Sequence, residues 1–177
     1  MDKILRFAGS NHNKSINHLF IELIAGLLSY QDHVLIQLTN LSFPIYSIQG
    51  EALGIPGDAI ALKKLIDDHS ILVISVPEHN GSYTAYFKNI LDWLSRVDKE
   101  HRVLTDKKVI LFSVSPGEGG DGALRHTRDV LVRMGASVVD SLSIKQFYKV
   151  VRSHNGHLQL GDDLREEIVS IFKKQNI

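Results

Sequence analysis

Cysteine is missing from all 177 residues. Its absence excludes disulfides, thiolate metal sites and cysteine nucleophiles, and it agrees with a reducing cytosol. No apolar run approaches the roughly 20 residues that a membrane-spanning helix needs. The opening MDKILRFAGS has neither the apolar stretch nor the small-residue cleavage pattern of a secretion signal. A dominant charge is lacking as well, because Lys and Arg total 20 and Asp and Glu total 20. A neutral chain carries no global field to draw nucleic acid or an anionic membrane. Internal repeats and low-complexity tracts are absent, and the length suits one buried core rather than two. The expectation is a soluble, cytoplasmic protein forming one domain over residues 1–177, with neither nucleic acid nor membrane as partner.

What the chain does contain is a regular alternation. Four short, near-continuous apolar runs, Ile4 to Ala8, Val34 to Leu38, Ile71 to Val76 and Val109 to Val114, read as strands buried on both faces. A weaker fifth falls near Ser137 to Val139. Between them lie apolar faces at helical spacing: Ile16, Leu19, Phe20, Leu23, Ile24 and Leu27, then Ile60 to Ile66, Phe87 to Leu94, and Leu124 to Met134 ending at Gly135. A last helix, Asp162 to Lys174, has an acidic first turn and a basic last turn, as the helix dipole favours. Strand and helix alternating five times predict an α/β fold, a five-stranded parallel sheet in the flavodoxin-like order 2-1-3-4-5 with helices on both faces.

In such a sheet, ligands bind beyond the carboxyl ends of the strands. Three loops reach that edge: Gly9 to Ser15, Pro77 to Thr84 and Ser115 to Gly122. In the first, Ser10, Asn11, His12, Asn13, Lys14 and Ser15 precede a helix directly. A helix start with unpaired N–H groups suits a phosphate, but Ser15 also suits a plain helix cap. Ala8 and Asn13 stand where a P-loop needs glycine, and Gly9 alone does not make G-x-G-x-x-G. A hydroxyl-rich monophosphate cup remains beside the capping alternative.

The second loop opens the stretch PEHNGSYTAYFKNILDWLSR, residues 77 to 96. It resembles the NAD(P)H-dependent FMN reductase family, flavodoxin-like enzymes that read P-E-Y-N-x-S-x-P-x-x-L-K-N-x-x-D-W there. Pro77, Glu78, Asn80, Ser82, Lys88, Asn89, Asp92 and Trp93 match. The first loop resembles the family's G-S-x-R-x-x-S-x-N through Gly9, Ser10, Ser15 and Asn17, and the third is similar through Ser115, Pro116, Gly117, Gly119 and Gly120. HNGHL at 154–158, followed by the acidic helix start, resembles the family's C-terminal hairpin and helix. His12 stands for the family's Arg, His79 for its Tyr, and Thr84-Ala85 for its Pro-Gly.

The resemblance implies FMN as cofactor and NADPH or NADH as electron donor, with a small-molecule acceptor such as free flavin, a quinone, an azo compound or a metal oxyanion. The implied cofactor-binding set is Gly9, Ser10, His12, Ser15 and Asn17; Pro77, Glu78, His79, Asn80, Gly81 and Ser82; and Ser115, Pro116, Gly117, Gly119 and Gly120. Glycines at 81, 117, 119 and 120 leave room for backbone to approach a flavin ring. The flavin carries the redox chemistry, so no catalytic side chain is assigned, and a single shared face implies ping-pong kinetics. A non-enzymatic flavodoxin-type carrier and a flavin-free binding module of the same fold are the rival readings. His154 and His157 lack a third ligand in register, so no metal is expected. In the helix over 84–97, Tyr86, Ile90, Trp93 and Val97 form a second apolar stripe. Two apolar faces on one helix predict a homodimer or homotetramer packed through it, against the alternative of a cover by the chain's own 39–58 loop.

Overall fold

Residues 2–28, 32–154 and 157–177 are described by a computed structural model of the chain. The apolar runs form strands β1 (Lys3–Ala8), β2 (Asp32–Leu35), β3 (Ile71–Ser75), β4 (Lys108–Val114) and β5 (Ser137–Ile144). They pair in parallel in the order β2-β1-β3-β4-β5, the flavodoxin-like arrangement expected from the sequence. Alternation of side chains across each strand explains the continuous apolar runs. Ile71 and Val73 of β3 join Ile4, Ile110 and Phe112 in the core on one face. Leu72 and Ile74 join Leu5, Phe7 and Leu111 on the other.

Helices cover both faces. Helix α1 (Ile16–Leu23) supplies Phe20 and Ile21 to the first core, together with Ile168 and Phe172 of the last helix. On the second face lie α2 (Ile48–Ala52), α3 (Gly57–Asp67), α4 (Ala85–Val97) and α5 (Asp121–Arg133), which bring Leu62, Phe87, Leu91 and Leu131 to the core. A short α6 (Phe147–Val150) leads into the antiparallel hairpin β6 (Val151–His154) and β7 (His157–Leu160), and α7 (Asp162–Lys174) ends the chain. Residues 155–156 of the HNGHL stretch lie outside the described residues.

Three differences from the sequence reading have physical causes. Strand β2 begins at Asp32 and ends at Leu35, earlier than Val34 to Leu38. As an edge strand it pairs on one side alone and is only half buried, so polar residues are admitted. Strand β5 runs to Ile144, well past Val139, for the same reason. Its register shifts against Val109/Ile110, where Arg128 of α5 donates to Val138 O at 3.1 Å and to Ser141 Oγ at 3.2 Å. Helix α1 gives way at Ile24 to a 3-10 turn through Leu27 that contains Gly26, a residue that weakens a helix interior.

The second stripe of α4 is covered by the chain's own 39–58 loop, the alternative to a subunit contact, so the stripe carries no argument for one. Trp93 is 1% exposed and Ile90 fully buried. The Trp93 indole N–H donates to Pro44 O at 2.7 Å, and the Tyr46 ring meets it edge-on at 5.2 Å. Tyr86 Oη donates to Leu38 O at 2.7 Å. The apolar surface is moved outward onto the covering segment, where Ile45, Ile48 and Leu53 stand exposed. Among the described residues, no helix is long and apolar enough to cross a membrane.

Candidate active site

Strands β1, β3 and β4 end side by side, and the three loops that follow them enclose a cleft of about 610 Å³. Loop 1 is shaped by its own hydrogen bonds. Ser10, nearly buried, accepts the His12 N–H at 3.2 Å. His12 Nδ1 accepts the Lys14 N–H at 3.1 Å, which leaves Nε2 as the N–H donor of the neutral ring. Ser15 Oγ accepts the His18 N–H at 3.1 Å and so caps α1. The cap uses a lone pair of that oxygen and leaves its hydrogen free to donate. Capping and phosphate binding are therefore compatible at Ser15. The helix start also leaves the N–H groups of Ile16 and Asn17 without intrahelical partners.

Loop 2 folds back sharply. His79 and Ser82 exchange both backbone hydrogen bonds, at 2.7 and 3.1 Å. Between them Asn80 has φ 52° and Gly81 φ 78°, the left-handed pair of a type I′ turn that Asn-Gly favours. The turn's own pairing does not consume the N–H groups of Asn80 and Gly81. Thr84 follows, 2% exposed. Its hydroxyl donates to Gly9 O at 2.7 Å and accepts the Phe87 N–H at 3.0 Å, so it caps α4 while fastening loop 2 to loop 1. The threonine that departs from the family pattern thus has a stated task here.

In loop 3, Ser115 Oγ accepts the Gly117 N–H at 3.0 Å, and Gly117 O accepts the Gln146 N–H at 2.8 Å. Gly119 has φ 108°, and its neighbour Gly120 donates to Ser143 Oγ at 2.9 Å. A Cβ on Gly117 would meet nothing nearer than Ser115 Oγ at 3.8 Å, so that stretch of backbone is open to a ligand.

The cleft brings together Ser10, His12, Ser15 and Asn17 from loop 1, Pro77 to Gly81 from loop 2, and Ser115, Pro116 and Gly119 from loop 3. Gly9, Ser82, Gly117 and Gly120 fall outside its lining, Gly9 and Gly120 buried and Gly117 exposed. Gly9 is small for another reason, since a Cβ there would lie 2.8 Å from the Phe87 ring. Ser82 Oγ faces His126 Nδ1 at 3.2 Å. Asn17 lines the cleft while its amide bonds the strand ends: Nδ2 donates to Val114 O, and Oδ1 accepts from Val114 N and from Ser75 Oγ, at 3.0, 3.0 and 2.6 Å. It ties α1 to the ends of β3 and β4. Sequence reasoning missed Asn11, Ile16 and Val114 in the wall, and it missed Thr84 as the strut between loops. An N-cap residue before the Phe87 helix was the available signal for Thr84.

The remainder of the family-like stretch points elsewhere. Lys88 pairs with Asp92 at 2.6 Å. Asn89 Oδ1 accepts the Tyr46 N–H at 2.8 Å while its Nδ2 donates to Pro44 O at 3.0 Å, beside Trp93. Asn89 and Trp93 hold the covering segment, Lys88 and Asp92 pair with each other along α4, and none of the four lines the cleft. Among the described residues, no three His, Cys, Asp or Glu side chains are placed to hold a metal ion.

A hydroxyl-lined cup at a helix start, with left-handed and glycine-rich backbone at the two neighbouring strand ends, lies at the switch in strand order, where open parallel sheets bind their ligands. The sequence pattern of the family described as NADPH-dependent FMN reductase matches residues 3–149, and the chain belongs to that family. A quinone reductase of Escherichia coli is 35% identical over 100 residues, 55% of this chain and 52% of that protein. An uncharacterized protein of Mycoplasma pneumoniae is 28% identical over 64% of this chain and 68% of its own length. Among solved structures, a flavoenzyme NAD(P)H:(acceptor) oxidoreductase of Paracoccus denitrificans superposes with a TM-score of 0.77 at 20% identity, covering 99% of this chain and 94% of that one. The family is one of oxidoreductases with FMN as cofactor and NAD(P)H as electron donor.

Proposed function

We propose that this chain is an NAD(P)H-dependent oxidoreductase that holds FMN in the cleft beyond β1, β3 and β4 and serves a small acceptor: free flavin, a quinone, an azo compound or a metal oxyanion. The observation that carries this reading is the convergence of the three loops on one cleft of about 610 Å³ with a phosphate-suited cup at one end. The hydroxyls of Ser10 and Ser15 and the first N–H groups of α1 hold the phosphate. Lys14 adds a mobile positive charge, and His12 adds a neutral Nε2–H donor. Backbone at Asn80, Gly81 and Gly119 takes the ring edge. Bound there, FMN supplies the redox chemistry between nicotinamide donor and acceptor.

Donor and acceptor each need close approach at the same mouth, with reacting atoms about 3–3.5 Å apart for hydride transfer. They therefore enter in turn, and the kinetics are ping-pong. NADPH stands first as donor because the family's own description names it. Quinones stand first among acceptors because the E. coli relative is a quinone reductase. The cysteine-free composition supports the cytoplasm as the place of action. Self-association uses the exposed Ile45, Ile48 and Leu53.

The test is the visible spectrum of the purified protein after incubation with FMN, followed by anaerobic NADPH. A retained flavin spectrum that bleaches supports the proposal. Protein that rejects FMN refutes the cleft assignment, and flavin that stays oxidised with both NADPH and NADH refutes the reductase reading.

A further inference from the structure

The N-cap position of helix α5 is Gly120, which cannot carry a capping side chain. A Cβ there would collide with Ser113 Oγ and lie 2.8 Å from Ser113 Cβ. Ser, Thr, Asp and Asn, the residues that ordinarily cap a helix, are therefore excluded by space, and the helix has no cap from its own N-cap residue. The acceptor arrives from another loop. Glu78 Oε2 accepts the Ala123 N–H at 2.9 Å. Ala123 is the third residue of the helix, and its N–H is one that a capping side chain takes. A carboxylate at this end also meets the positive pole of the helix.

The same junction is closed at two further points. A Cβ on Gly122 would lie 2.5 Å from Gly81 O and 3.0 Å from Glu78 Oε2, so the Asn80-Gly81 turn sits directly on the helix start. One turn further along α5, His126 Nδ1 meets Ser82 Oγ at 3.2 Å.

We propose that Glu78 caps α5 from loop 2 and thereby locks the 79–82 turn to the 117–120 backbone, fixing the spacing between the two walls that would grip the flavin ring. Glu78 is then a positioning residue, and the flavin contacts come from the backbone that it holds in place. The inference rests on the cleft being the flavin site, but the cap itself does not.

Three variants separate reach from charge. Glu78→Gln keeps an acceptor oxygen at the same reach and loses the charge. Glu78→Asp keeps the charge and falls one methylene short, and Glu78→Ala has neither. The expected result is a loss of FMN affinity of no more than about 3-fold for Glu78→Gln, which gives up only the charge at the helix pole, and a larger loss, up to about 30-fold, for the other two, as removing a helix cap supports. Riboflavin should lose the same factor, because the phosphate cup is untouched. Amide exchange at Ala123, measured on the flavin-free protein, should accelerate in Glu78→Asp and Glu78→Ala and least in Glu78→Gln. Should Glu78→Ala fail to fold, the Asp and Gln pair decides alone.

Parental affinity and exchange in Glu78→Asp with loss in Glu78→Gln would overturn the proposal in favour of a direct charge effect. Parental values in all three would overturn it outright. A parent protein that rejects FMN sinks the flavin reading instead, and exchange at Ala123 then still decides whether Glu78 is the cap.

Discussion

Replacing Ser10 and Ser15 together by alanine should weaken FMN binding by about 1–3 kcal/mol, a factor of roughly 5 to 150. Each hydroxyl has one hydrogen free for the phosphate, since Ser10 Oγ and Ser15 Oγ already accept the His12 and His18 N–H groups. A hydrogen bond to a charged acceptor contributes about 1.5–3 kcal/mol, so two would give about 3–6 kcal/mol in isolation. The backbone N–H groups at the start of α1, His12 Nε2 and Lys14 remain in the double variant and take up part of the phosphate, which brings the figure down. Riboflavin has no phosphate, and its affinity should hardly move. The two sites also differ in what they do to the fold. Ser15→Ala removes the α1 cap and should cost about 1 kcal/mol of stability, whereas Ser10→Ala leaves the cap in place. Titrating flavin-free protein with FMN and with riboflavin, followed by flavin fluorescence, gives both affinities, and urea unfolding separates the stability cost. Equal losses for FMN and riboflavin would show that this loop does not read the phosphate.

Other consequences follow from the packing. Trp93→Ala should destabilise the protein by about 3–5 kcal/mol, and Trp93→Glu should unfold it rather than split an oligomer. Leu53→Glu should stay folded and shift the sedimentation coefficient to a smaller species, and a parent that already sediments as a monomer would remove the contact. Gly120→Ala should lower the urea midpoint and FMN retention because its Cβ meets Ser113, while Gly117→Ala, with its nearest neighbour at 3.8 Å, should stay within about 0.5 kcal/mol of the parent in stability. His33 sits below the ordinary histidine value of 6.5, because burial and then the Arg6 charge disfavour its protonated form, and Arg6 Nη2 donates to its Nδ1 at 3.0 Å. The neutral form is favoured in the fold, so this contribution to stability is full above pH 6.5 and is lost as pH falls from there through the folded-state value. Urea midpoints at neutral and mildly acidic pH should converge in His33→Gln, and an unchanged acid slope would remove His33 as the cause.

Strand order and the three ligand loops were legible because they depend on patterns that repeat locally. Ile71 to Ser75 is buried on both faces, and nothing in such a run competes with the strand reading. The edge strands were harder, because β2 buries alternate residues only in part and admits Asp32 and His33 where an apolar pattern looks for valine. Ser15 was read from the chain as either cap or phosphate donor, and the geometry allows both from one oxygen.

What could not be read was where a side chain goes across the fold. The stretch from Pro77 to Trp93 reads as one motif, but its two ends serve different neighbours. Glu78 reaches α5, 45 residues later in the chain, while Asn89 and Trp93 reach back to Pro44. Helical spacing alone makes Trp93 an outward-facing apolar residue, which is how the stripe came to suggest a subunit contact. Only the path of residues 43–53 over α4 turns it inward, and no local pattern encodes that path. The same holds for Glu78. Its task is set by the lack of space at Gly120, and that lack comes from Ser113 on a different strand. A glycine forced by a neighbour leaves a helix without its own cap, and a carboxylate from the facing loop replaces it. The two walls of the cleft are thereby joined by a hydrogen bond between residues far apart in the chain, with His126 and Ser82 meeting one turn further along.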